Sequence, residues 1–153
     1  MPFDPDSEDM DDSDAADGPV LGEPTRMGRT ALTVADLDET VAFYRDVVGL
    51  AVQARSETGA TLGAGGAPVL ELTLDADAPP RGRTQAGLFH NAFRVPSRAA
   101  LGAALERIRG RATLDGASDH HVSEALYCTD PEGNGVEIYT DRPREQWPRA
   151  DDG

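Results

Sequence analysis

The chain has 153 residues and a formal net charge of −14, with 28 acidic against 14 basic side chains and a single cysteine. That length suits one domain whose own core needs neither disulfide nor structural metal, and one cysteine excludes an intramolecular disulfide. The acidic surplus argues against nucleic acid and anionic membranes as partners, and no apolar run approaches the roughly 20 residues that span a bilayer.

Residues 1–24 hold nine acidic and no basic side chains, a composition expected to be a disordered, solvating tail. No cationic start leads into an apolar segment, so the expected location is the cytoplasm. All basic residues are arginine, and this acidic, lysine-free composition resembles that of proteins from salt-adapted organisms.

A single domain is expected over 25–147, followed by a short tail, 148–153. Its first strand is Arg29 to Val34, which alternates in polarity. Asp36 with Glu39 three residues on has capping-box spacing, and Leu37, Val41, Tyr44 and Val48 recur at helical intervals. Gly49 is placed to end that helix in the left-handed conformation. Three glycine-divided runs, about 51–57, 59–63 and 68–74, complete a βαβββ pattern. After a linker at 75–83, the order repeats. A strand at 87–95 precedes a helix capped by Ser97, with Leu101, Ala104, Leu105 and Ile108 as its apolar stripe and Gly110 at its end. A weak strand at 112–114 then leads into a hairpin.

In the hairpin, Val122 to Cys128 alternates, Asp130-Pro131-Glu132-Gly133-Asn134-Gly135 supplies the reversal, and Val136 to Tyr139 returns. Glu137 is the one carboxylate in an otherwise uncharged row and therefore needs a partner. The chain thus reads as an α+β fold of paired βαβββ modules, 29–74 and 87–140, giving two curved mixed sheets around a central cleft. Aligning the modules sets Arg29 against His90 on the first strands and Glu71 against Glu137 on the last. If the copies pack with pseudo-twofold symmetry, these four side chains converge.

Other polar and aromatic residues have plainer readings. His121 is a loop residue, and Cys128, opposite in strand parity to Tyr127, is a small core side chain. Phe43 and Tyr44 belong to the core. Arg142 and Trp147 pin the C-terminal segment. The Gly63–Gly66 run lacks the lysine and helix of a phosphate loop and is a turn.

Three stretches, VADLDETVAFYRDVVGL, GLFHNAFRVPSR and SDHHVSEALYCTDPEGNGVEIYTDRPREQW, resemble the vicinal oxygen chelate superfamily of glyoxalases, bleomycin-resistance proteins and extradiol dioxygenases. The resemblance covers about residues 26–147 and is nearest the catechol-2,3-dioxygenase-like branch, whose members often carry two paired-module domains. It implies a metal-dependent protein acting on a small molecule, foremost extradiol cleavage of a catechol-type aromatic. His90 and Glu137 match metal-ligand positions of the superfamily, and Glu71 a position used by glyoxalases. His120 and Tyr127 match an acid/base histidine and a substrate-side tyrosine of the branch.

The implied ion is Fe(II) or Mn(II), with Ni(II) or Zn(II) as alternatives. Arg29 is the departure, standing where the pattern has a histidine that binds metal, which a guanidinium cannot do. Hence a second reading stays open: Arg29 replaces the metal, pairing with Glu137, Glu71 or both, in a metal-free binding or sequestering protein. A glyoxalase or isomerase type, resting on Glu71, is third. The expected partner is a small-molecule substrate or ligand, and a homodimer is compatible with the fold.

Overall fold

The computed structural model describes residues 27–79, 82 and 87–148. The predicted acidic tail, most of the C-terminal tail and part of the 75–83 linker lie outside the described residues. β1 (Thr30–Val34), α1 (Leu37–Phe43), β2 (Ala51–Arg55), β3 (Gly59–Ala64) and β4 (Ala67–Leu74) build the first module. β5 (His90–Arg94), α2 (Arg98–Arg111), β6 (Gly116–Asp119), β7 (Ser123–Thr129) and β8 (Gly135–Asp141) build the second. The strand order is β1-β4-β3-β2 in one sheet and β5-β8-β7-β6 in the other, the same permutation twice. In each, the first and last strands run parallel and the remaining pairs antiparallel. This is the expected α+β fold of paired βαβββ modules, with mixed sheets.

Local signals account for most of these elements. The Asp36 carboxylate accepts from Glu39 N at 2.8 Å and Ser97 Oγ from Ala100 N at 3.2 Å, so both helices start at their predicted caps. Gly49 ends the first helix at φ 98°, the conformation that favours glycine. Three details differ from the expected pattern. Tyr44–Val48 is a π-helical turn, with Gly49 N and Leu50 N both donating to Tyr44 O. Arg107 of α2 donates to the carbonyls of Val47 and Val48 at 3.0 Å each, satisfying groups that the wide turn leaves free. α2 runs through Gly110 to Arg111, and the strand before the hairpin is 116–119 instead of 112–114. Gly-Ala-Ser-Asp has turn-like composition, and only its ladder with β7 makes it a strand.

The apolar faces of both sheets and the two helices share one core, which includes Val34, Tyr44, Leu62, Leu72, Ile108 and Ile138. On β8, Val136 and Ile138 are buried, so the period-2 alternation of a strand turns Glu137 and Tyr139 to the opposite face.

The β7–β8 turn also clasps the two modules. Tyr44 donates its hydroxyl to Asp130 Oδ2 at 2.9 Å, and Ala35 N and Asp36 N donate to Glu132 Oε1 at 2.8 and 3.1 Å. Thr30 Oγ1 donates to Asn91 Oδ1 at 2.9 Å, joining the two first strands. No described helix is long and apolar enough to cross a membrane.

Candidate functional site

Register gives the four aligned positions a common origin. Ala31 pairs with Glu71 across β1–β4, and Ala92 pairs with Glu137 across β5–β8. Arg29 and His90 each lie two residues upstream of that alanine, so they occupy equivalent places on equivalent sheet faces. The small alanines leave room for the longer side chains to reach diagonally towards their glutamates.

In the second module the reach is completed: His90 Nε2 lies 3.1 Å from Glu137 Oε2, with the carboxylate side chain 15% exposed. Gly135 makes this possible. It pairs with His90, and a Cβ there would stand 2.6 Å from Phe89 O and 3.0 Å from His90 Cβ. The last glycine of the turn is thus required by close approach of β5.

Tyr127 faces Glu137 directly across β7–β8 and donates to Glu137 Oε1 at 3.1 Å. His120, just beyond β6, brings Nε2 to 2.9 Å from Tyr127 Oη. His120, Tyr127 and Glu137 form one hydrogen-bonded chain, and His90 stands in close contact with the same carboxylate. A carboxylate only accepts, so the tyrosine hydrogen goes to Glu137, which makes His120 Nε2–H the donor to Tyr127 Oη. Burial, then the hydrogen bond and charge of Glu137, push the Tyr127 phenol above its usual range. Tyr127 therefore stays a neutral donor near pH 7.

The first module behaves differently. Arg29 Nη1 lies 3.6 Å from Glu71 Oε2, with both side chains about half exposed. No ion pair within 4 Å links Arg29 to Glu137 among the described residues. The four aligned side chains therefore separate into one pair per module. Arg29 and Glu71 lie on neighbouring strands of one sheet, and His90 and Glu137 on neighbouring strands of the other.

His90 Nε2 and Glu137 Oε2 are spaced as neighbouring ligands of one ion: metal bonds of about 2.1 Å at right angles put the two atoms ~3.0 Å apart. Metal binding would require a His90 Nε2 free of hydrogen, its lone pair turned to the ion. Among the described residues there is no cluster of three His, Cys, Asp or Glu placed to hold a metal. The side chains thus fit two adjacent positions of a divalent ion, and Arg29 stands at the place equivalent to His90 in the other module.

His121 lies in the turn before β7 with φ 66°, the one non-glycine residue at positive φ among those described. Trp147 Nε1 donates to Arg142 O at 2.9 Å, holding the C-terminal segment as its sequence suggests. Cys128 is buried, and burial, with the nearby Asp115 and Asp130 charges, pushes its thiol up to about 11. Native protein should therefore resist iodoacetamide at pH 7.5 while urea-unfolded protein reacts within minutes. Equal rates in a mass-shift assay would contradict that burial.

Comparison with known proteins supplies the wider context. The family model for the glyoxalase/bleomycin resistance protein/dioxygenase superfamily matches residues 15–138. The chain is 41% identical over 136 residues to catechol-2,3-dioxygenase of Bacillus subtilis (strain 168), a match covering 87% of this chain and 47% of that protein. The chain thus spans about half the length of that curated relative. Lactoylglutathione lyase from Agrobacterium tumefaciens superimposes with a TM-score of 0.60 at 29% identity, covering 76% of this chain and 94% of the other. A glyoxalase/dioxygenase from Nostoc punctiforme, 18% identical, has a TM-score of 0.68 over 84% of this chain and 100% of the other, which speaks for the fold alone.

Proposed function

Because the chain belongs to the glyoxalase/bleomycin resistance protein/dioxygenase superfamily, we propose that its domain, residues 25–147, performs extradiol-type oxidative cleavage of a small catechol-type aromatic. The site is the cluster of His90, Glu137, Tyr127 and His120. His90 and Glu137 would hold a divalent ion, Fe(II) or Mn(II), as two members of a 2-His-1-carboxylate triad in which Arg29 stands at the place of the second histidine. When bound, that ion supplies Lewis acidity to two adjacent substrate oxygens and a place for dioxygen to react.

The protein's own side chains account for proton handling. His120 Nε2 carries a hydrogen at the outer end of the chain, and an imidazole can act as a general acid or base. Tyr127 Oη relays its bond to Glu137 and holds that carboxylate in one orientation. A catechol hydroxyl arriving beside Tyr127 would donate to the remaining lone pair of Tyr127 Oη, with the His120 ring alongside. The observation that carries this reading is the His120–Tyr127–Glu137 hydrogen-bonded chain, at 2.9 and 3.1 Å, with His90 Nε2 3.1 Å from the same carboxylate.

Two measurements test it. Protein purified without chelator should carry Fe or Mn, or gain it on anaerobic reconstitution, and should consume dioxygen and catechol in equal amounts. Only trace metal, with no oxygen uptake after reconstitution, would overturn the proposal. The Arg29–Glu71 pair favours a second reading, a metal-free cleft that binds a small molecule without transforming it. The same pair weighs against a glyoxalase-type lyase, which needs Glu71 as a ligand.

A further inference from the structure

We infer that Arg142 is a positioning residue, holding the Asp119–His121 turn so that the His120 ring stays on Tyr127. This deepens the proposed function and rests on its assignment of His120 to proton transfer. Arg142 follows β8 with its side chain 27% exposed. Its Nη2 donates to Asp119 Oδ2 at 2.7 Å and to Glu124 Oε1 at 3.1 Å, and its Nη1 reaches His121 O at 3.4 Å. Its backbone N donates to Val122 O at 2.8 Å. One side chain thus touches residues on both sides of His120 and the first turn of β7. Arg98 completes the network by donating to Glu124 Oε2 at 2.7 Å.

The turn needs such a clamp. Asp119 Oδ1 accepts from His121 N at 2.8 Å, a local turn bond, while His120 N donates to Ser123 O at 2.9 Å. His121 makes this reversal with left-handed backbone, which is strained for a non-glycine residue and persists only where surrounding contacts over-determine it. With the guanidinium gone, two carboxylates face each other near a strained turn. His121 then relaxes, and His120, whose ring bond to Tyr127 is its side-chain hydrogen bond in the structure, swings away. Because Glu124 also binds Arg98, β7 itself remains anchored.

The experiment uses the full chain, whose three histidines make ring assignment tractable. Imidazole ¹⁵N–¹H spectra and ring-to-ring cross-relaxation would be recorded for the natural protein, Arg142→Ala, Arg142→Lys and Asp119→Asn. The natural protein should show the His120–Tyr127 contact. Arg142→Ala and Asp119→Asn should lose it while His90 signals stay in place, and Arg142→Lys should restore part of it. Trp147→Phe, which frees the C-terminal segment but keeps the guanidinium, should retain it.

Persistence of the contact in folded Arg142→Ala overturns the inference, as does its loss in Trp147→Phe. If Arg142→Ala fails to fold, an intact contact in Asp119→Asn overturns it alone. On catechol, kcat should fall about 10- to 100-fold in Arg142→Ala with KM held. Absence of oxygen uptake in the natural protein would count against the dioxygenase reading only, since the ring contact is read without turnover.

Discussion

Asp130→Ala is expected to destabilise the protein by about 3 kcal/mol or more, the largest effect of any single polar substitution in the fold. Asp130 is 4% exposed, and Tyr44, which donates to it, is fully buried. The carboxylate also accepts from Glu132 N, Asn134 N and Asn134 Nδ2 at 2.7 to 3.1 Å. Removing it orphans several donors at once, each costing about 1–3 kcal/mol when buried without water. Tyr44→Phe removes one donor and leaves Asp130 its other bonds, so it should cost only about 1 kcal/mol. Urea unfolding of both variants and the double mutant isolates the coupling. A loss below about 1 kcal/mol for Asp130→Ala would mean that water replaces the clasp.

Arg29→His is expected to create or strengthen a metal site. The shared register puts residue 29 where His90 stands in the other module, so an imidazole there takes the equivalent of a ligand position and leaves Glu71 without its guanidinium. Affinity for Fe(II) or Mn(II) should rise by at least the about 10- to 100-fold that even outer-shell partners of a metal ligand are worth. Equilibrium dialysis beside the natural protein measures it. Unchanged affinity would show that Arg29 does not stand in for a ligand, and tight binding by the natural chain would remove the metal-free alternative.

These two residues mark where sequence reasoning succeeds and where it stops. The repeated order of elements sets Arg29 against His90, and the resemblance to the superfamily marks it as a departure from a histidine. Its partner was not visible. Whether the guanidinium meets Glu71 or Glu137 depends on how far apart the two sheets stand. Asp130 was legible only as a turn residue, since its burial against Tyr44 comes from the other module. Gly135 likewise passed for turn chemistry, although the nearness of Phe89 O to its missing Cβ explains it better. The positive φ of His121 carried no signal beyond a loop.

By itself the sequence determined the duplicated βαβββ order, both helix caps, the hairpin and the candidate residues on each strand, because caps, turns and alternation act over a few neighbouring residues. Tertiary structure alone decided how those residues are joined. It linked His120, Tyr127 and Glu137 by hydrogen bonds, set His90 against the same carboxylate and left Glu71 beside Arg29. It also made the β7–β8 turn a clasp between modules. Those outcomes depend on distances of a few ångströms between segments up to 97 residues apart, and no local pattern encodes them.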